Sequence, residues 1–286
     1  VFLVDLAEQR ARQVIDWNTM DIDWHGRGWD RGLRGITFLD DRVYIAASDE
    51  LFAYGPDFKL IGSWRCPYLK HCHEIDTWDG QIFLTSTGYD SVIAFDPREE
   101  RFHWALNIET ENFRFKGRVY DPMGEEGPLP LNKLHLNSVV CKTGGMYLSG
   151  LKAGGMLIFN GRDVSMSATL PSGTHNARPF RDGVLYNDTR SDRVCYSGRG
   201  DGLEDRLIAV PRYPAEELTH RDEDDSSIAR QGFARGLCEL SDRVIAGGSS
   251  PSTITLYDLK ESRQLMSLRL TPDIRNAIHG LEVWPW

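Results

Sequence analysis

The sequence predicts an all-β fold: a six-bladed β-propeller in a single domain over residues 1–286. Three observations lead there. Short runs rich in Val, Ile, Tyr and Phe alternate along the chain with Gly, Asp, Asn and Pro, the punctuation of tight turns. An aromatic or apolar residue followed by a small or turn residue recurs at Val4-Asp5, Tyr54-Gly55, Phe95-Asp96, Phe159-Asn160, Tyr196-Ser197 and Tyr257-Asp258. Upstream of the last five lies an earlier turn: Asp40-Asp41, Asp79-Gly80, Thr143-Gly144-Gly145, Arg181-Asp182-Gly183 and Ser241-Asp242. Asp-Gly between alternating apolar runs is a strong hairpin signal, and four strands joined by tight turns make a propeller blade.

Taken in order, the blades fall at about 33–65, 72–108, 136–170, 174–212 and 234–270. The stretch Lys70–Asp96 shows the plan most clearly, with a histidine-bearing approach, an apolar strand, an Asp-Gly turn and two further strands. A sixth blade is expected from the ends of the chain. IHGLEVWPW would supply its innermost strand and VFLVDLAEQRARQVIDW its outer two, closing the sheet and removing an open edge. Two long connections interrupt the rhythm at about 107–133 and 199–231. Segments of that length read as functional lids or surface loops. The acidic RDEDDSS is read as a solvated loop, and Ala215–His220 as a helical fragment too short to matter.

Composition narrows the function classes. The net charge of −9 argues against a nucleic-acid backbone, which requires a basic footprint. No apolar run approaches the roughly 18 to 20 residues of a membrane span, and VFLVDL carries no targeting signal. Five cysteines without a CxxC pair suit buried thiols in a reducing compartment, so a cytoplasmic location is expected. No GxSxG, GxGxxG, P-loop or HExxH string is present, which removes the readings those motifs carry.

One register position gives the candidate site. Counting back six residues from each early turn reaches Arg34, His73, Asn137, His175 and Arg235, and the shared RGL/HGL pattern adds His279. None is apolar, although each precedes a strand expected to be buried, and a buried polar group needs a partner. In a propeller the starts of the innermost strands converge on the channel mouth, which accounts for all six. Histidines at alternate blades point to a catalytic metal site of His73, His175 and His279, with His135 as a fourth ligand. The expected cofactor is a divalent metal, with Fe, Zn or Mn preferred to Ca. Arg34, Arg235 and Asn176 are the candidates for substrate binding, since guanidinium groups suit a carboxylate. Glu74, Asn137 and Arg178 are candidates for the chemical step, and Arg31 is a reserve cation. His25, His103, His220 and most of the tryptophans read as surface or packing residues.

The strings HEIDTWDGQIFLTST (73–87), LHLNSVV (134–140), THNARPFRDGVLY (174–186) and GFARGL (232–237) resemble a family of bacterial six-bladed propellers that has no assigned reaction. More distantly, the plan is similar to the gluconolactonase and strictosidine-synthase group. That resemblance implies a divalent cation held by Glu, Asn and Asp. Glu74, Asn137 and Asn176 offer part of the set, but Arg235-Gly236 stands where the Asp is wanted. Seven-bladed lyases and oxygenases with several histidines on a metal are analogies of site alone.

The expected function is a metal-dependent enzyme acting on a small anionic, carboxylate-bearing substrate, of lyase, hydrolase, epimerase or iron-oxygenase type. The alternatives are a non-catalytic ligand- or protein-binding propeller and a scaffold whose channel is only plugged. Nucleic acid and membrane are not expected partners.

Overall fold

The computed structural model describes residues 1–17, 32–200, 205–223 and 230–286. Trp24, Trp29, His25, Arg31 and part of the acidic run lie outside the described residues. The chain divides into two compact units, one of residues 15–172 with 285–286, the other of residues 1–14 with 173–284.

In the second unit the hairpin of β1 (Phe2–Asp5) and β2 (Arg10–Gln13) forms a two-stranded sheet of its own. The 15–172 unit holds three antiparallel meanders. The first is β3 (Ile36–Leu39), β4 (Arg42–Ala46), β5 (Glu50–Tyr54) and β6 (Leu60–Arg65). The second is β7 (Ile75–Trp78), β8 (Gln81–Ser86), β9 (Ser91–Asp96), β10 (Arg101–Glu111) and β11 (Arg114–Tyr120). The third is β12 (Leu136–Lys142), β13 (Gly145–Gly150), β14 (Gly155–Phe159) and β15 (Val164–Thr169). The 173–284 part holds two more: β16 (Thr174–Phe180), β17 (Gly183–Asp188), β18 (Arg193–Gly198) and β19 (Arg206–Ala209), then β20 (Arg235–Glu239), β21 (Val244–Ser249), β22 (Thr253–Asp258) and β23 (Arg263–Arg269).

Five blades, not six, are therefore present among the described residues, and the closed sixth blade is corrected. The predicted innermost strand at 278–286 forms no strand, and β1 and β2 pair only with each other. The residues give a reason. β2 is exposed throughout, so it has no apolar face to bury in a closing sheet. Pro285 interrupts the C-terminal segment and has no N–H for a ladder. A second correction concerns 107–133. Rather than a lid, its first half continues β10 and returns as β11, paired from Ala105↔Tyr120 to Glu111↔Arg114. Asn112 and Phe113 turn the hairpin at φ 50° and 62°, as a two-residue primed turn requires.

The core lies between blades. In the 15–172 unit, Tyr44, Leu51, Ile82, Leu84, Ile93 and Phe95 form one cluster, and Leu106, Leu136, Leu148 and Leu157 belong to a second. In the other unit Leu185, Val194, Leu237, Ile245 and Tyr257 do the same work. Each such side chain contributes about 1.5–3 kcal/mol by leaving water. The recurring turn after the third strand is closed by its own side chain. Asp96 Oδ1 accepts from the backbone N–H of Arg98 and Glu99 at 2.8 and 3.2 Å. Asn160 does so from Arg162 and Asp163 at 3.0 and 2.8 Å, and Asp258 from Lys260 and Glu261 at 3.0 and 3.1 Å. This is why the turn residue at that position is Asp or Asn in these three blades, whereas Gly55 and Ser197 stand in the other two.

Candidate functional site

Arg34, His73, Asn137, His175 and Arg235 lie at or just before the first strands of their blades, whereas no strand follows His279; the six fall in two groups, one in each unit. In the 15–172 unit, Arg34 N–H donates to Ala46 O at 2.8 Å, extending the β3–β4 ladder past its end. Gly35 then passes so close to the approach of β7 that a Cβ there would meet Ile75 N at 2.7 Å. That proximity carries the Arg34 guanidinium to the next blade, where Nη1 lies against the His73 ring, 3.0 Å from Nε2 and 3.4 Å from Nδ1. In the other unit Arg235-Gly236 repeats the device. Gly236 adopts φ +72° with Ile278 and His279 against its Cα, and Arg235 Nη1 lies 2.7 Å from His279 Nε2.

Bonding on the far side of each ring fixes its tautomer. His73 Nδ1 is 2.7 Å from His71 O and 2.9 Å from Thr87 Oγ1. A carbonyl can only accept, and the Thr87 hydroxyl proton goes to Leu136 O, so Nδ1 carries the hydrogen. His175 Nδ1 lies 3.3 Å from Gly173 O and 3.4 Å from Thr189 Oγ1, whose own proton is donated to Gly173 O at 2.6 Å. His279 Nδ1 lies 3.3 Å from Ala277 O. All three imidazoles thus bond the carbonyl two residues back and offer Nε2 as an acceptor. A guanidinium can only donate, so the Arg235–His279 bond requires a neutral ring.

The remaining candidates divide. His135 is half-buried at φ +54°, bonds Asn132 Oδ1 through Nδ1 at 3.0 Å, and sets its ring edge-on to His73 with centroids 5.4 Å apart. Asn137 is buried at a bulge in β12, and matching irregularities fall at His175/Arg178 in β16 and Arg235/Leu237 in β20. Bulges recur where a strand must re-aim a side chain. Asn176 is buried, and its Oδ1 accepts from Asn187 Nδ2 at 2.8 Å and from Gly236 N–H at 3.1 Å. It ties β16 to β20, and in doing so it holds the glycine that delivers Arg235. Arg178 is half-buried and stands near Cys238, whose thiol is pushed up to about 12 by burial and then by the Glu282 carboxylate. Glu74 is half-buried, and both its N–H and its carbonyl bond Thr85 Oγ1 at 3.0 Å. The Cys72 thiol beside Arg34 and Glu74 is pushed up to about 12, chiefly by burial. All five cysteines are free thiols.

The histidine metal centre does not fit these residues as they stand. Among the described residues no three His, Cys, Asp or Glu side chains are grouped to hold a metal ion. His279 already spends its Nε2 lone pair on a guanidinium, and Arg34 Nη1 lies against the His73 ring. Sequence reasoning named both arginines and both histidines but missed their pairing. The readable signal was Arg-Gly one blade ahead of His. It also missed Thr87, Thr189 and Asp90, polar residues between second and third strands that hold the imidazoles or the next approach.

Comparison with solved structures supports the fold. The β-propeller domain of Cps50 (Swd1) from Myceliophteria thermophila superposes with a TM-score of 0.53 at 10% identity, covering 88% of this chain and 90% of that one. The fold is a β-propeller. Apo AztD from Citrobacter koseri scores 0.48 at 12% identity over 85% of this chain and 74% of its own. A streptogramin B lyase scores 0.46 at 12% identity over 80% and 70%. Only the first is similar enough to carry an argument, and at its identity it concerns the fold alone. No protein-family model and no curated protein sequence matches the chain, so the particular family expected above rests on its strings. Among the described residues no helix is long and apolar enough to cross a membrane.

Proposed function

We propose that the chain binds a small carboxylate-bearing substrate at its Arg–His pairs and that the paired imidazole is the base for a proton transfer. The observation that carries this reading is the repeated contact of guanidinium with Nε2, at 3.0 Å for Arg34–His73 and 2.7 Å for Arg235–His279. A guanidinium has five N–H donors, so one spent on imidazole leaves others for a bidentate grip on a carboxylate. A bound carboxylate is the stronger acceptor and draws the guanidinium away from the ring. Nε2 is then bare, while Nδ1–H remains fixed on its carbonyl. That nitrogen can take the proton from the carbon next to the carboxylate. The electron pair left on carbon either expels a neighbouring group as an anion into solvent, an elimination, or takes a proton from water on the other face, an epimerisation.

The test is a panel of acetate, lactate, malate and citrate, read by thermal shift and by ¹⁵N resonances of the imidazoles. The expected result is stabilisation by at least one carboxylate, movement of a paired Nε2 signal, and binding weakened about tenfold by Arg34→Met or Arg235→Met. Binding that survives both substitutions overturns the reading. Dialysis against a chelator is expected to leave binding unchanged. Loss on chelation, restored by Zn, Mn or Fe, would replace this reading with the metal-dependent one. Binding without turnover of any ligand would leave a non-catalytic module.

A further inference from the structure

The approach to β7 also borders a second feature, which the Arg–His chemistry does not use. A cleft of about 480 Å³ lies within the 15–172 unit, walled by Ser48 and Asp49 in the turn from β4 to β5 and by residues between Arg65 and His71. Its volume is in the range of small-molecule sites. Its lining carries both signs of charge on an apolar floor: Asp49, then Lys70 and Arg65, with Pro67 and Leu69 between them. Arg65 is committed, its Nε 3.0 Å from Glu50 Oε2. Lys70 has no acidic partner among the described residues, and its stem is laid against Gly88, where a Cβ would meet Lys70 Cγ at 3.0 Å. Packing the stem positions the ammonium while leaving it to solvent or to a ligand. His71, on the same wall, holds φ +56° with its N–H on Ser48 Oγ at 3.2 Å.

We infer that this cleft binds a small zwitterion of the amino-acid class. Its carboxylate meets Lys70, its ammonium meets Asp49, and an apolar side chain lies on Pro67 and Leu69. Neither a simple anion nor a simple amine uses both charges. His71 connects the cleft to the pair, because its carbonyl is the acceptor for His73 Nδ1–H at 2.7 Å.

The experiment is a thermal-shift and calorimetric survey of the standard L-amino acids. Leucine is set beside its deaminated and decarboxylated counterparts, 4-methylpentanoate and 3-methylbutylamine, with the His71 ring resonance followed by NMR. An amino acid with an apolar side chain is expected to raise the melting temperature and move the His71 signal, while the two counterparts do neither. Asp49→Asn and Lys70→Met are each expected to weaken binding about tenfold. Arg34→Met is expected to leave it unchanged, which separates this site from the pair. Lys70 is exposed, so its variant keeps the test usable if Asp49→Asn fails to fold. The inference is overturned if no amino acid binds, or if 4-methylpentanoate binds as tightly as leucine. It is equally overturned if Lys70→Met binds as tightly as the wild-type chain.

Discussion

A single buried side chain can position a whole approach segment, and Asp90 does so in the 15–172 unit. It is 4% exposed, adopts φ +48°, and receives the backbone N–H of Lys133, Leu134 and Leu136, the last two at 3.0 and 3.3 Å. Those bonds set the chain that enters β12, with His135 between the two bonded leucines. Removing the carboxylate leaves three donors in a dry place, and an unmet buried donor costs about 1–3 kcal/mol. Asp90→Ala is therefore expected to lower unfolding stability by about 3 kcal/mol or more, seen as a lower urea midpoint at unchanged slope. Asp90→Asn, which keeps an acceptor and tolerates the left-handed backbone, should lose less. Equal loss from both would assign the effect to charge and not to the bonds. The register of Arg34, His73, His175 and Arg235 was legible because a polar residue before a buried strand stands out, and His279 was read by the same pattern although no strand follows it. Asp90 was not legible, since its partners lie more than 40 residues away and nothing in the local string TGYDS distinguishes it from an ordinary turn residue.

At the level of the element, the turn between third and fourth strands was the most readable feature of the chain. In three blades its Asp or Asn folds back on the N–H groups two and three residues on, a purely local chemistry. The turn from β22 to β23 adds an ion pair, with Arg243 Nε 3.0 Å and Nη2 2.6 Å from Asp258. Arg243, by hydrogen bond first, holds the Asp258 carboxyl down to about 2. A carboxyl of an unfolded chain titrates at about 3.9. The folded group is thus the stronger acid, and its contribution to stability is present above about pH 4 and lost as pH falls toward 2. Melting temperatures of wild-type and Arg243→Met chains are expected to differ most at and above pH 5 and to converge below pH 2. A gap that stays constant with pH would show that Arg243 acts by packing alone. The β10–β11 hairpin was misjudged for the opposite reason. The polar ENFRFKGR, with no Asn-Gly or Asp-Gly to announce a turn, resembles a loop, and its pairing to β10 exists only because the preceding strand runs on past the blade.

Over the whole molecule, a local rule that holds five times does not guarantee a sixth. Closing a blade from both termini needs two ends with complementary apolar faces, and the exposed β2 and the Pro285-bearing tail do not provide them. Charge is the other property of the whole chain, and it bears on how an anion would reach the Arg–His pairs. At −9 the protein repels a carboxylate at long range, while each arginine attracts it only over the last few ångströms. Salt separates the two effects. Raising ionic strength from about 0.01 M to about 0.15 M shortens the screening length from about 30 Å to about 8 Å. That removes the long-range repulsion and leaves the short-range hydrogen bonds largely intact. The association rate of a bound carboxylate, measured by stopped flow, should therefore rise about two- to threefold across that range, the reverse of a protein whose net charge steers its ligand in. Arg34→Met and Arg235→Met should raise the dissociation rate and leave this salt slope in place, because they alter the grip and not the approach. An association rate that falls steeply with salt would mean that a local cationic field governs encounter, and that the acidic balance of the chain has no bearing on its ligand.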